Sequence, residues 1–66
     1  TIKVPLLFDS TFDFLKSSAQ ISADHKLESF YILSRAYQFS QEQFDFIKGI
    51  GNETSHCSFV LMIAAN

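Results

Sequence analysis

Arg35-Ala36-Tyr37-Gln38-Phe39-Ser40-Gln41-Glu42-Gln43-Phe44-Asp45-Phe46-Ile47-Lys48-Gly49 is the stretch that decides the fold. Ser40 to Gln43 has the form of a capping box: the Ser40 hydroxyl can accept from the Gln43 amide, and the Gln43 side chain can reach back to the Ser40 amide. Phe39 before the cap and Phe44 after the box are spaced to form a hydrophobic staple across it. Farther on, Phe44 and Ile47 share one helical face, while Phe46 and Ile50 share a neighbouring one. Lys48 falls at the negative end of the helix dipole, and Gly49 supplies a C-terminal stop. The stretch predicts a helix, a tight turn and a second helix.

Outward toward the N-terminus, a helix is expected after Ser22, running from Ala23 to Tyr37. Leu27, Phe30, Tyr31, Leu33 and Ser34 form its broad apolar face, with Asp24, Lys26, Glu28 and Arg35 mostly elsewhere. Before it, Ser10 is placed to cap a first helix, with Asp13 in its first turn. Phe12, Leu15 and Ala19 share a face there, and Ser17, Ser18 and Gln20 weaken the end. Thr1 to Phe8 reads as an extended arm: Ile2, Val4 and Leu6 alternate, and Pro5 confines any strand to an edge.

Outward toward the C-terminus, Gly49-Ile50-Gly51-Asn52 reads as a flexible joint. No Asp, Glu, Lys or Arg follows Glu53. Thr54 to Ser58 is polar, and Phe59 to Ala65 is a solid apolar run. The expected class is therefore all-α: a small three-helix domain with a helix-turn-helix, an extended N-terminal arm and a flexible extended C-terminal tail. Its expected divisions are an arm at 1–9, a helical recognition body at 10–50, a linker at 51–56 and an apolar tail at 57–66. The tail also has a structural reading, as a last strand or helix that completes the core.

With 66 residues the chain forms one domain at most. A domain of this size buries only roughly 60% of the surface its unfolded chain exposes. Eight Phe and two Tyr therefore give a thin core more aromatic surface than it can wholly cover, leaving some for a partner. The net charge of −2, with Lys3, Lys16, Lys26, Arg35 and Lys48 spread singly, excludes a nucleic-acid footprint. A single cysteine, Cys57, points to a reducing compartment. No signal peptide is visible, and the apolar run is far short of the ~20 residues a membrane helix needs. A cytoplasmic protein without membrane association is expected.

Nothing in the sequence assembles a catalytic or metal site. His25, His56 and Cys57 are the obvious reactive groups, and neighbours such as His56 and Cys57 on an extended chain point apart. Their spacing fits no metal motif, and no glycine-rich phosphate loop is present. The chain is expected not to be an enzyme, with no cofactor or metal of its own.

The Arg35–Gly49 stretch, with the tail behind it, resembles the helix-turn-helix of leader regions in ribosomally made, post-translationally modified peptides. The pattern is a helix ending in Ala and an aromatic, an apolar residue, Ser or Thr, an acidic capped turn, then a helix closing near Gly. Nif-type leaders look like this, as do the small helical binding domains of borosin precursors. In split borosin systems such a domain is followed by a short linker and an apolar core modified by a separate enzyme. Cys57 to Ile63 is similar to such a core. Two features depart from the pattern: the arm has no counterpart, and Gln38 stands where related leaders often carry Gly, Asp or Asn.

That resemblance implies a precursor peptide, substrate of a backbone α-N-methyltransferase acting in trans with S-adenosylmethionine bound by the enzyme. Phe59, Val60, Leu61, Met62 and Ile63 would be the modified core, threaded into the enzyme's active site. Leu33, Tyr37, Phe39, Phe44 and Ile47 would form the docking surface, so the body raises the local concentration of the tail. Two alternatives remain open. One is a small helical interaction protein, of immunity or adaptor type, that binds through its aromatic face or tail. The other is a lanthionine-type precursor modified at Thr54, Ser55, Cys57 or Ser58.

Overall fold

The computed structural model describes residues 3–54 and 57–65. Thr1 and Ile2 of the expected arm, Ser55 and His56 of the expected linker, and Asn66 of the expected tail lie outside the described residues. The protein is all-α, with helices α1 (Asp9–Ser17), α2 (Ala23–Ser34), α3 (Gln41–Asn52) and α4 (Cys57–Ala65). Among the described residues, β-type pairing is confined to one isolated parallel bridge, between Leu6 and Gln38.

The helix starts follow local chemistry. The Gln43 amide donates to Ser40 Oγ at 3.3 Å, and the Ser40 amide donates to Gln43 Oε1 at 2.9 Å, closing the expected capping box. The staple forms as well, with the Phe39 and Phe44 rings edge to face at 6.0 Å. Ser22 caps α2 by accepting from the His25 amide at 3.3 Å. α1 differs: it starts one residue before the expected cap Ser10, with Phe8 at the N-cap and no side-chain cap bond. Asp9 therefore sits in the first turn, where a negative charge is favourable.

α2 ends three residues before the expected Tyr37. Ser34 Oγ donates to the Tyr31 carbonyl at 2.6 Å, and the amides of Ala36 and Tyr37 both fold back onto the Leu33 carbonyl. The chain is then extended at Gln38, and the reason is tertiary. The Gln38 amide donates to the Pro5 carbonyl at 2.7 Å, and the Leu7 amide donates to the Gln38 carbonyl at 2.8 Å. The arm is thus laid on the body, with Leu7 buried in the core. Both departures from the leader pattern meet in this pairing. A left-handed residue such as Gly or Asn has no role at a bridge position.

The expected joint and extended tail are corrected. α3 continues through Gly49 and Gly51 to Asn52, and no described glycine has positive φ. The 57–65 segment forms α4, which packs on both α2 and α3. Gly51 is buried against Val60, the Phe59 ring meets Tyr31 edge to face at 5.0 Å, and Ile63 is fully buried. Residues 59, 60 and 63 share one helical face, so the apolar run finds a seat as a helix rather than as an extended chain.

Leu7, Phe12, Leu27, Phe30, Ile47 and Ile63 form one core, drawn from the arm and all four helices. Phe12 stands at its aromatic centre, with ring centroids 5.2 Å from Phe30, 6.5 Å from Phe39 and 5.6 Å from Phe46. These separations and tilts suit the ring quadrupole. Among the described residues, no helix is long and apolar enough to cross a membrane.

Candidate functional site

Four of the five residues expected to dock a partner are half-buried, and one is not on the surface. Leu33, Tyr37, Phe39 and Phe44 pack against the core while keeping part of their surface open. Ile47 is fully buried and belongs to the core. Its place on the inward face of α3 follows from the same spacing that put it beside Phe44 in the sequence.

Tyr37, Phe39 and Phe44 converge on one shallow depression of about 220 Å³, completed by Ser34, Gln38 and Ile63. The α2–α3 turn positions all three aromatics: Tyr37 and Phe39 flank Gln38, which the arm holds extended, and Phe44 is fixed by the staple. Ile63 comes from α4. The docking candidates and the end of the expected core peptide therefore share one edge of the fold. Leu33 is not part of this depression.

The five expected core residues divide by helical face. Phe59 and Val60 are half-buried and Ile63 fully buried, whereas Leu61 is 70% and Met62 48% exposed. A second depression of about 550 Å³ lies between α2 and α4. Tyr31, Ile32 and Phe59 make it apolar, and Asp24, His25 and Glu28 border it. Ile32 is 61% exposed there.

The reactive groups are spread out. His25 Nδ1 lies 3.2 Å from Ser22 Oγ, at the start of α2. Cys57 is exposed and its thiol points at the Gly51 carbonyl over 3.6 Å. Thr54 Oγ1 donates to the same carbonyl at 3.5 Å. Ser58 is exposed in the first turn of α4. Among the described residues, no three His, Cys, Asp or Glu side chains gather where they would hold a metal ion.

Sequence reasoning missed three positions that shape this surface. Gly51 is one, read as part of a joint although it serves as a packing notch. Lys26 is another: its Nζ donates to the Lys16 carbonyl at 3.2 Å, placing a cation at the negative end of α1. Lys16 itself lies over the Phe12 and Phe46 rings, at 5.3 and 5.6 Å, and pairs with Asp13 at 3.2 Å. Spacing alone can reveal the Asp13–Lys16 and Phe12–Lys16 pairs, three and four residues apart in α1, whereas the Lys16–Phe46 and Lys26–Lys16 contacts join separate helices. No protein-family model, curated protein or solved structure matches the chain.

Proposed function

We propose that the chain is a precursor whose helical body docks to a modifying enzyme and delivers the 57–65 segment to it in the cytoplasm. The observation that carries this reading is the surface of α4. A helix that merely closes a small core shows a polar outer face, and one that is apolar all round is normally buried. α4 carries no charged residue and turns Leu61 and Met62 outward. A second protein surface accounts for that outer face.

The proposed reaction is backbone α-N-methylation within Phe59–Ile63. A methyl group passes from the sulfonium of S-adenosylmethionine, held by the enzyme, to a backbone nitrogen that loses its proton. The amide is a weak nucleophile, so the enzyme has to hold it extended, exclude water and stabilise the deprotonated form. The amides of Leu61, Met62 and Ile63 lie past the first turn of α4 and are engaged in the helix, so the segment unwinds before they react. Helices shorter than about 12–15 residues are marginal alone in water, and α4 has nine. Once off the body it loses its helix readily.

Co-expression with the enzymes encoded beside it, followed by intact and tandem mass spectrometry, tests the proposal. Methyl masses on the backbone between Ser58 and Ala65 are expected. Water losses at Thr54, Ser55 or Ser58 would move the chemistry to thioether formation. A second reading is favoured by the α2–α4 depression with its exposed Ile32: a helical interaction protein of immunity or adaptor type. It predicts an unmodified chain in a stoichiometric complex while the neighbouring enzymes are active.

A further inference from the structure

We infer that α4 is a releasable latch on a body made of the arm and α1–α3, and that its release is the step that exposes the 57–65 segment. The inference rests on the proposed function only for the identity of the protein that takes the released segment.

The latch is a knob in a notch. Val60 sits on the bare backbone of Gly51, and a Cβ built there would collide with Val60 Cγ2 and stand 3.1 Å from Val60 Cβ. Val60 is β-branched and stiff at χ1, so a simple side-chain swing does not clear the overlap. Gly51 also anchors the return of the chain, because its carbonyl receives both Thr54 Oγ1 and the Cys57 thiol. Gly49, two residues earlier, has nothing within 4 Å of such a Cβ. The requirement for glycine is therefore specific to the α4 contact.

The body has its own cross-links, and none of them uses α4. Gln43 bonds Asp9 between α3 and α1, Leu7 and Gln38 pair the arm with the α2–α3 turn, and Lys26 bonds Lys16 between α2 and α1. α4 adds the inward side chains of Phe59, Val60 and Ile63. Through these it seats on both α2 and α3, and a nine-residue helix that is marginal by itself opens as a unit when that apolar seat is lost, while a cross-linked remainder stays closed.

Release also uncovers a surface. Ile63 fills one side of the depression formed by Tyr37, Phe39 and Phe44. Its departure would widen that depression, so a partner that binds the widened form more tightly favours the open state by differential affinity. The protein that binds the body is then the one that frees the segment.

Amide hydrogen exchange on the full chain tests the latch without any enzyme, using Gly51→Ala and the double variant Gly51→Ala/Val60→Ala. Gly51→Ala is expected to speed exchange across 59–65 by ~10-fold or more, while amides in 27–31 and 44–47 keep their rates. The double variant makes room for the new Cβ and is expected to restore slow exchange. Unchanged exchange in Gly51→Ala overturns the inference. So does equal acceleration in α2, α3 and α4, which would make α4 an integral part of the core, and so does failure of the double variant to restore protection. Opening in Gly51→Ala with no mass gained beside active enzymes upholds the latch and removes the methylation reading.

Discussion

Gln43 Nε2 donates to Asp9 Oδ1 over 3.2 Å, joining the first turn of α3 to the first turn of α1. The same side chain accepts from the Ser40 amide through Oε1, so one buried amide closes a local cap and a contact 34 residues away. Glu, the other residue that completes a capping box, can accept from Ser40 but has no hydrogen to give Asp9. Both halves of the amide are in use, which accounts for Gln at this position.

Gln43→Glu is therefore expected to keep the cap and lose the tertiary bond, placing two carboxylates against each other. The expected cost at neutral pH is about 1–3 kcal/mol, read as a lower urea midpoint. Asp9→Asn in the same chain offers a donor again and is expected to recover most of it. Recovery no greater than the effect of Asp9→Asn alone would rule out coupling between the two side chains.

Phe12→Ala removes the ring shared by Phe30, Phe39 and Phe46, and also the face beneath Lys16. A loss of about 3–5 kcal/mol is expected, enough to unfold much of a small domain at 25 °C. Phe14, in the same helix but 69% exposed, is expected to change stability by less than about 0.5 kcal/mol when replaced by Ala. Circular dichroism melts of the two variants separate these cases.

On α4 the two faces predict opposite outcomes. Ile63→Ala is expected to remove about 2–5 kcal/mol from the seating of α4, seen as faster amide exchange across 59–65. Leu61→Ser with Met62→Gln touches only the outward face and is expected to leave melting within about 0.5 kcal/mol. The same pair is expected to weaken capture by the modifying enzyme about tenfold or more, roughly 1.4 kcal/mol. Capture at wild-type affinity would mean that the outer face of α4 is not what the partner reads.

The arm gives a direct readout. The amides of Leu7 and Gln38 lie outside every helix yet bond to Gln38 and Pro5 carbonyls. Slow exchange is expected at both. Removing residues 1–6 is expected to bring the Gln38 amide close to the rate of an unstructured chain, with the α3 amides still protected.

What the sequence determined by itself was what local chemistry can specify. The Ser40–Gln43 box, the Phe39–Phe44 staple and the Ser22 cap are contacts between residues three to five apart, so their spacing is sufficient. The apolar faces of α2 and α3 follow from period, and with them the inward placement of Phe30. Only the tertiary structure decided the rest. Gly51 can be a hinge or a notch, and the difference lies in Val60, which comes to rest against it. An unbroken apolar run carries no period, so nothing within Phe59–Ala65 chooses between extended chain and helix. The seat offered by Tyr31, Gly51 and the core made that choice. Gln38 is likewise extended because the arm's carbonyl and amide meet it there. In each case the deciding partner is distant in the chain, and a residue's own type does not say what it will meet.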